Sequence, residues 1–200
     1  MKRADDLSQR HRRFGALVAW CRTPRWAGSR QEEPVFRQLT IEPIGVVETP
    51  FQEPEGAPIQ PSRASGARGR VRVAKRLWDG LKDLAGFERI WLIYWLHRRA
   101  GVSLRVTPFL DRQERGVFAT RAPARPVPIG ISAVRLLGIE EGVLEVADVD
   151  MIDGTPLLDI KPYIPEFDSY PASGAGWFGE SDSQSRLADD RFGMTARMDS

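Results

Sequence analysis

The alternation of apolar and polar positions marks a chain built from short strands. Residues 69–74 set Val71 and Val73 between Arg70 and Arg72, the period-two pattern of a strand with one wet face. The run 88–97 is apolar on both pleat faces, with Ile90, Leu92, Tyr94 and Leu96 on one and Trp91, Ile93 and Trp95 on the other. That predicts a strand buried on both sides, by a barrel interior and by a neighbouring subunit. A first strand fits 39–48, closed by Thr49-Pro50, and further strands fit 103–107, 116–120, 129–139 and 143–149. Asp153-Gly154 signals a turn, after which 156–161 resumes extended structure. Helical spacing is confined to AKRLWDGLKDL, where Leu77, Leu81 and Leu84 predict one short amphipathic helix. Many short strands with few helices predict a mainly β fold, a compact barrel or curled sheet. Neither GxGxxG nor a P-loop is present, which excludes the usual nucleotide-binding α/β designs.

The stretch GVFATRAPARPVPIG, residues 116–130, adds chemistry to this frame. A buried-type strand runs into a loop carrying Arg121 and Arg125. Pro123, Pro126 and Pro128 fix φ at three positions of that loop and remove three backbone donors. A loop so stiffened holds two planar guanidinium forks in place, which suits a carboxylate or phosphate. It reads as a preorganised anion or nucleotide site.

At 200 residues the chain supports one well-buried domain. Residues 1–38 read as a basic, loosely ordered extension, 39–171 carry nearly all the strand patterns, and 172–200 form a tail with Trp177 and Phe178 as docking points. No apolar run approaches the roughly 18–20 residues of a membrane span. The N-terminus lacks the apolar stretch of a secretory signal, so a cytoplasmic location is the default expectation. One cysteine, Cys21, excludes a disulfide framework and a cysteine zinc site, and two histidines argue against a histidine metal centre. The net charge of +2 is unevenly spread: residues 1–30 hold eight Lys or Arg against two Asp, and residues 62–76 hold six against none. Each run reads either as solvated surface or as an RNA contact, since clustered arginines neutralise phosphates.

Four segments occurring in order resemble the TsaA-like family, which includes the tRNA methyltransferase TrmO. They are IGVVETPF (44–51), GFERIWLIYWLH (86–97), GVFATRAPARPVPIGIS (116–132) and DGTPLLDIKPYIP (153–165). The resemblance implies a non-Rossmann β-barrel methyltransferase with S-adenosylmethionine as donor and a homodimer with cofactor sites near the subunit interface. The activity it implies is N6-methylation of N6-threonylcarbamoyladenosine at position 37 of tRNA. Carried over by position, the cofactor contacts fall on Pro58, Ile59 and Gln60, on His97 and Arg98, on Arg121 and Ile131, and on Asp153, Gly154, Thr155 and Pro156. Three positions depart from the common TrmO pattern. Ile59 stands where arginine is frequent, Arg98 where glutamine is frequent, and Val127 where asparagine is frequent. Those departures leave open a small-molecule acceptor, or a non-catalytic nucleotide- or RNA-binding barrel.

Each residue also has a plain structural reading. Arg121 either clamps the donor's carboxylate through charge-assisted bonds or forms a structural ion pair. The Asp153–Pro156 turn either offers N–H groups and a hydroxyl to the adenosine or is simply a hairpin reversal. His97 is either a satisfied core histidine or a ligand contact able to accept a proton. For substrate binding, Arg125 contacts a phosphate or pairs with an acidic loop, and Lys161 meets the substrate or pairs with Asp159. The residues nominate no catalytic base and no metal ligand.

Overall fold

A computed structural model describes residues 39–99, 101–171, 174–180 and 187–189. Expectations about residues 1–38, including their order and RNA contact, lie outside the described residues. The strands are β1 (Gly45–Glu48), β2 (Arg68–Val73), β3 (Arg89–Trp95), β4 (Arg105–Val106), β5 (Arg115–Gly116), β6 (Ile129–Glu140), β7 (Val143–Ala147) and β8 (Thr155–Pro162). Six of them close into a barrel in the order β1-β2-β7-β6-β3-β8, while β4 and β5 form a separate two-stranded sheet. The mainly β architecture is the one the strand pattern predicts, and the closed barrel is the form the family resemblance implies. Among the described residues no helix is long and apolar enough to cross a membrane.

Closure depends on one long strand that serves two partners. The first half of β6 pairs with β3, from Ile129↔Trp95 to Arg135↔Arg89. From Arg135 onward the strand pairs with β7, across a register shift between Leu136 and Gly138. An extra residue on one side of a ladder bends the strand, which lets a short sheet curl shut. A second shift, between Ile93 and Tyr94 on the β8 side of β3, lies next to the open end of the barrel. Inside, Val47, Val71, Ile90, Leu92, Val134, Leu144, Val146 and Leu157 have no exposed surface. Each such side chain contributes about 1.5–3 kcal/mol of burial.

Several expectations need correction. Of residues 39–48 only Gly45–Glu48 pair, and Leu39 and Ile41 are exposed. The predicted amphipathic helix is instead two 3-10 segments, Lys75–Leu81 and Leu84–Gly86. Asp83 between them takes a left-handed conformation, φ 65°, which interrupts any continuous α-helix. Its apolar residues still do the packing foreseen for them: Leu77, Leu81 and Leu84, with Trp78, cover the core. Residues 117–119 form a 3-10 turn rather than a strand, with Val117 buried and Phe118 78% exposed. The interior face of β3 is buried as predicted, but on the other face Trp91 and Ile93 are half-buried and Trp95 is exposed.

Strand direction explains where a site can form. Because neighbouring strands are antiparallel, the connections β1–β2 (residues 49–67), β3–β6 (96–128) and β7–β8 (148–154) all emerge at one end. The 3-10 segments and the tight β6–β7 hairpin occupy the opposite end. These connections carry most of the candidate residues, while Thr155, Pro156 and Lys161 lie on β8 and Ile131 on β6.

Candidate functional site

The β1–β2 connection brings Pro58, Ile59 and Gln60 over the open end of the barrel, where they line a cleft with His97, Arg98, Arg121 and Thr155. Seven of the sequence-predicted cofactor positions therefore converge. Arg121 Nη1 donates to Gln60 Oε1, so the proline-braced loop is tied to the β1–β2 connection at the mouth of the cleft. Arg98 Nη1 donates to Gln52 O at 2.6 Å and to Glu53 Oε1 at 3.0 Å. Burial, together with the Arg98 guanidinium, holds His97 below the usual histidine range, partly offset by a hydrogen bond to the Trp95 backbone. His97 is accordingly neutral at pH 7.

Other predicted positions lie elsewhere. Asp153, Gly154 and Pro156 are not among the cleft-lining residues. The turn they belong to is spent on closing the barrel: Thr49 N donates to Asp153 Oδ1 at 2.9 Å, Asp153 N to Phe51 O at 2.7 Å, and Gly154 N to Val47 O at 2.9 Å. Gly154 has φ +73°, a conformation glycine adopts without steric cost. The Thr155 hydroxyl donates to Ile152 O at 2.6 Å. In this structure the turn's donors are thus engaged within the protein. Ile131 sits on the outward face of β6, 46% exposed and opposite Ile93.

Neither substrate candidate lines the cleft. Arg125 is half-buried and reaches the Thr120 and Ala122 carbonyls of its own loop, at 3.3 and 3.4 Å, and among the described residues no ion pair to an acidic loop accompanies them. Lys161 pairs with Asp159 at 2.7 Å, the strand-end arrangement considered for it. In the basic run 62–76, Arg70 pairs with Glu145 and Arg72 with Glu48, both at 2.8 Å. Much of that run is therefore solvated, charge-paired wall.

The sequence reading passed over three residues in the floor of the site. Tyr94 and Asp150 line the cleft, and Ser132 connects them. Ser132 Oγ donates to Asp150 Oδ1 at 2.7 Å, and Tyr94 Oη lies 3.0 Å from Ser132 Oγ. With the serine proton committed to Asp150, Tyr94 is the donor of the second bond. Room for the Tyr94 ring comes from Gly130, where a methyl group would overlap it. Desolvation by burial pushes Asp150 up to about 7, against the lowering pull of Ser132, its own backbone N–H and Arg121. Burial and the nearby Asp150 push the Tyr94 phenol well above its ordinary range. A sequence signal existed: Gly130, Ser132, Val134 and Leu136 share one pleat phase, and Ser132 is a polar residue on the buried face.

A second, roomier cleft adjoins the first and shares Ile59, Gln60, Phe109 and Arg121 with it. Its other walls include Phe118, Thr120, Trp177 and Phe178. Trp177 Nε1 donates to Ala119 O at 2.8 Å, docking the tail as its aromatics suggest.

Cationic Arg98 and Arg121, one carboxylate, and the apolar Pro58, Ile59, Leu96, Met151 and Ile152 fit a nucleoside bearing both charges. The family model described as the tRNA-methyltransferase O N-terminal domain matches residues 46–169. A Pyrococcus abyssi protein described as a probable S-adenosyl-L-methionine-binding protein is 50% identical over 139 residues, 70% of this chain and 76% of its own. The human tRNA (adenine(37)-N6)-methyltransferase is 38% identical over 138 residues, 66% of this chain and 31% of its own. The crystal structure of TrmO from Pseudomonas aeruginosa superposes with a TM-score of 0.58 at 35% identity, covering 70% of this chain and 62% of that one. The chain thus spans less than two thirds of the solved TrmO chain and about a third of the human relative. With the barrel, the converging loops and the family match in agreement, the chain belongs to the TrmO family, through its tRNA-methyltransferase O N-terminal domain.

Proposed function

We propose that this chain is an S-adenosyl-L-methionine-dependent methyltransferase acting on N6 of adenosine 37 in tRNA, with the N6-threonylcarbamoyl form as its acceptor. The observation that carries this reading is the convergence of Pro58–Gln60, His97–Arg98 and Arg121 on one cleft at the open end of the barrel. Bound there, the donor supplies a methyl group made electrophilic by a positively charged sulfur. Displacement of this kind is in line and asks the protein mainly for alignment and exclusion of water. Arg121, steered by Gln60, meets the donor's carboxylate. Pro58, Ile59, Leu96 and Met151 exclude water, and neutral His97 is a base within the cleft for the proton that N6 gives up. No metal enters this scheme.

The second cleft receives the acceptor base. It abuts the first across Gln60 and Arg121, and its Phe118 and Phe178 are 78% and 47% exposed. Exposed aromatic faces stack bases, at about 1–3 kcal/mol each. Phe118→Ala is expected to raise KM for tRNA about fivefold or more while leaving donor affinity unchanged. Arg125 and Lys161 have no part in this route.

The outer face of the barrel supports a homodimer. Trp95 lies opposite Ile129 and Ile93 opposite Ile131, an apolar ladder that a second copy covers, bringing Ile131 towards a subunit boundary. A tRNA substrate implies work where tRNA resides, for which we propose the cytoplasm. Residues 39–171 act as the methyltransferase domain, between the basic extension 1–38 and the tail 172–200. The test is methyl transfer from labelled donor to tRNA lacking this modification. The expected product is a singly methylated N6-threonylcarbamoyladenosine at position 37. Absence of transfer to any tRNA overturns the acceptor, and transfer to a metabolite extract instead selects a small-molecule substrate.

A further inference from the structure

Among the described residues lining the first cleft, Asp150 is the one carboxylate, and it shares the cleft with Arg98, Arg99 and Arg121. A methionine-derived sulfonium nucleoside carries one carboxylate and two cations. The arginines answer the carboxylate, but they repel the cations. Asp150 is the acid that remains for them. Its placement is built into the barrel: Ser132, 1% exposed, fixes Asp150 Oδ1, and Tyr94, 6% exposed, fixes Ser132. Asp150 itself is half-buried and lines the cleft.

We propose that the Asp150 carboxylate is the counter-ion for a cationic centre of the donor, the sulfonium or the ammonium. The proposal rests on the reading of the cleft as the donor site. It has a measurable consequence in protons. In the free protein, burial pushes the Asp150 carboxyl up to about 7. An opposite charge close by favours the ionised form, so donor binding below pH 7 expels a proton and weakens as the pH falls. Above pH 7 the carboxylate is already ionised and affinity is flat. Among the described residues of the cleft, His97 is the other group that can exchange a proton near neutral pH, so the Asp150→Asn variant is what ties the proton to Asp150. Burial and Arg98 hold His97 below its ordinary range, and burial holds the Tyr94 phenol above its own. Asp153, from the same loop, is bonded to Thr49 N. This role is distinct from that of a general base, because a carboxylate paired with a cation loses basicity.

The experiment is calorimetric titration of the whole chain with S-adenosylmethionine at pH 6 and pH 8, in two buffers of different ionisation enthalpy. The expected result is release of nearly one proton per donor at pH 6 and almost none at pH 8, with Kd roughly tenfold weaker at pH 6. Asp150→Asn is expected to bind at least tenfold more weakly at pH 8 and to release no proton. S-adenosylhomocysteine, which lacks the sulfonium charge, tells the two cations apart. A greater loss for S-adenosylmethionine assigns the sulfonium, and an equal loss assigns the ammonium. Wild-type binding without proton release, or an Asn variant matching wild type at both pH values, overturns the proposal and leaves the methyltransferase reading standing. No donor binding at all removes both. Should the Asn variant not fold, proton release at pH 6 that persists in His97→Gln keeps the assignment to Asp150, and its loss there overturns it.

Discussion

In the barrel wall, Ile90, Leu92, Val134, Leu144 and Leu157 have no solvent exposure, and every strand is bonded to two neighbours. Over the open end, the connection 96–128 has a separate and much smaller core of Val106, Val117, Ala122 and Ala124, packed by Phe109. It holds its shape by other means. Ser103 N donates to Ala124 O at 3.0 Å, Leu96 N to Pro128 O at 2.8 Å, and Arg115 pairs with Asp111 at 2.7 Å, while its prolines restrict φ. The wall is rigid because it is buried, and the loop because its chain has few conformations to lose. The contrast separates two jobs. Changes in the wall act on stability, whereas changes in the loop act on ligand chemistry with little effect on the fold.

The largest expected effect tests the wall. Leu92→Ala leaves a cavity in the barrel and is expected to cost about 2–5 kcal/mol in urea unfolding. A loss below about 1 kcal/mol would show that the barrel interior is not the stabilising core. Next comes the loop. Arg121 is exposed, so Arg121→Ala is expected to shift unfolding by no more than about 0.5 kcal/mol. The same change is expected to weaken donor binding roughly ten- to hundredfold, through loss of a charge-assisted bond. Comparable losses in both measurements would erase the distinction between the regions.

The smallest effect sharpens the comparison at the seam, where Asp150 belongs to the barrel end but serves the cleft. Its carboxyl titrates near 7 in the folded chain, against 3.8 as the ordinary value. The folded state therefore binds more protons than the unfolded one between about pH 4 and 7, and this group's contribution to stability falls as pH rises through that window. Asp150→Asn, after allowing for a weakened Ser132 bond, is expected to stabilise the protein by about 1–2 kcal/mol at pH 8 and not at pH 4. Thermal unfolding across that range checks it. A variant whose pH profile parallels wild type removes the assigned cost.

How legible each part was follows from the same contrast. Strand β2 stood out because a half-buried strand must alternate, as Val71 and Val73 do, and β3 because both of its faces are apolar, with Ile90 and Leu92 turned to the barrel interior. Segments without two strand neighbours were misread. Residues 74–84 have helical spacing but form 3-10 turns broken at Asp83, and 116–120 leave Phe118 in solvent. Of the site, Pro58–Gln60, His97, Arg98, Arg121 and Thr155 were found through the family resemblance and do converge. Asp153 and Gly154 do not line the cleft, and their backbone donors bond to Phe51 and Val47 within the barrel. Tyr94, Ser132 and Asp150 depend on β3, β6 and the β7–β8 connection meeting, of which the local pattern records only a polar Ser132 on the buried face of β6.

The most direct measurement of the central claim is backbone hydrogen exchange with and without S-adenosylmethionine. Protection is expected at 57–60, 94–98, 119–123 and 150–155, the segments that border the first cleft, with the Lys75–Leu81 end of the barrel unchanged. Donor-dependent protection at that opposite end, with none at the cleft, would contradict the account.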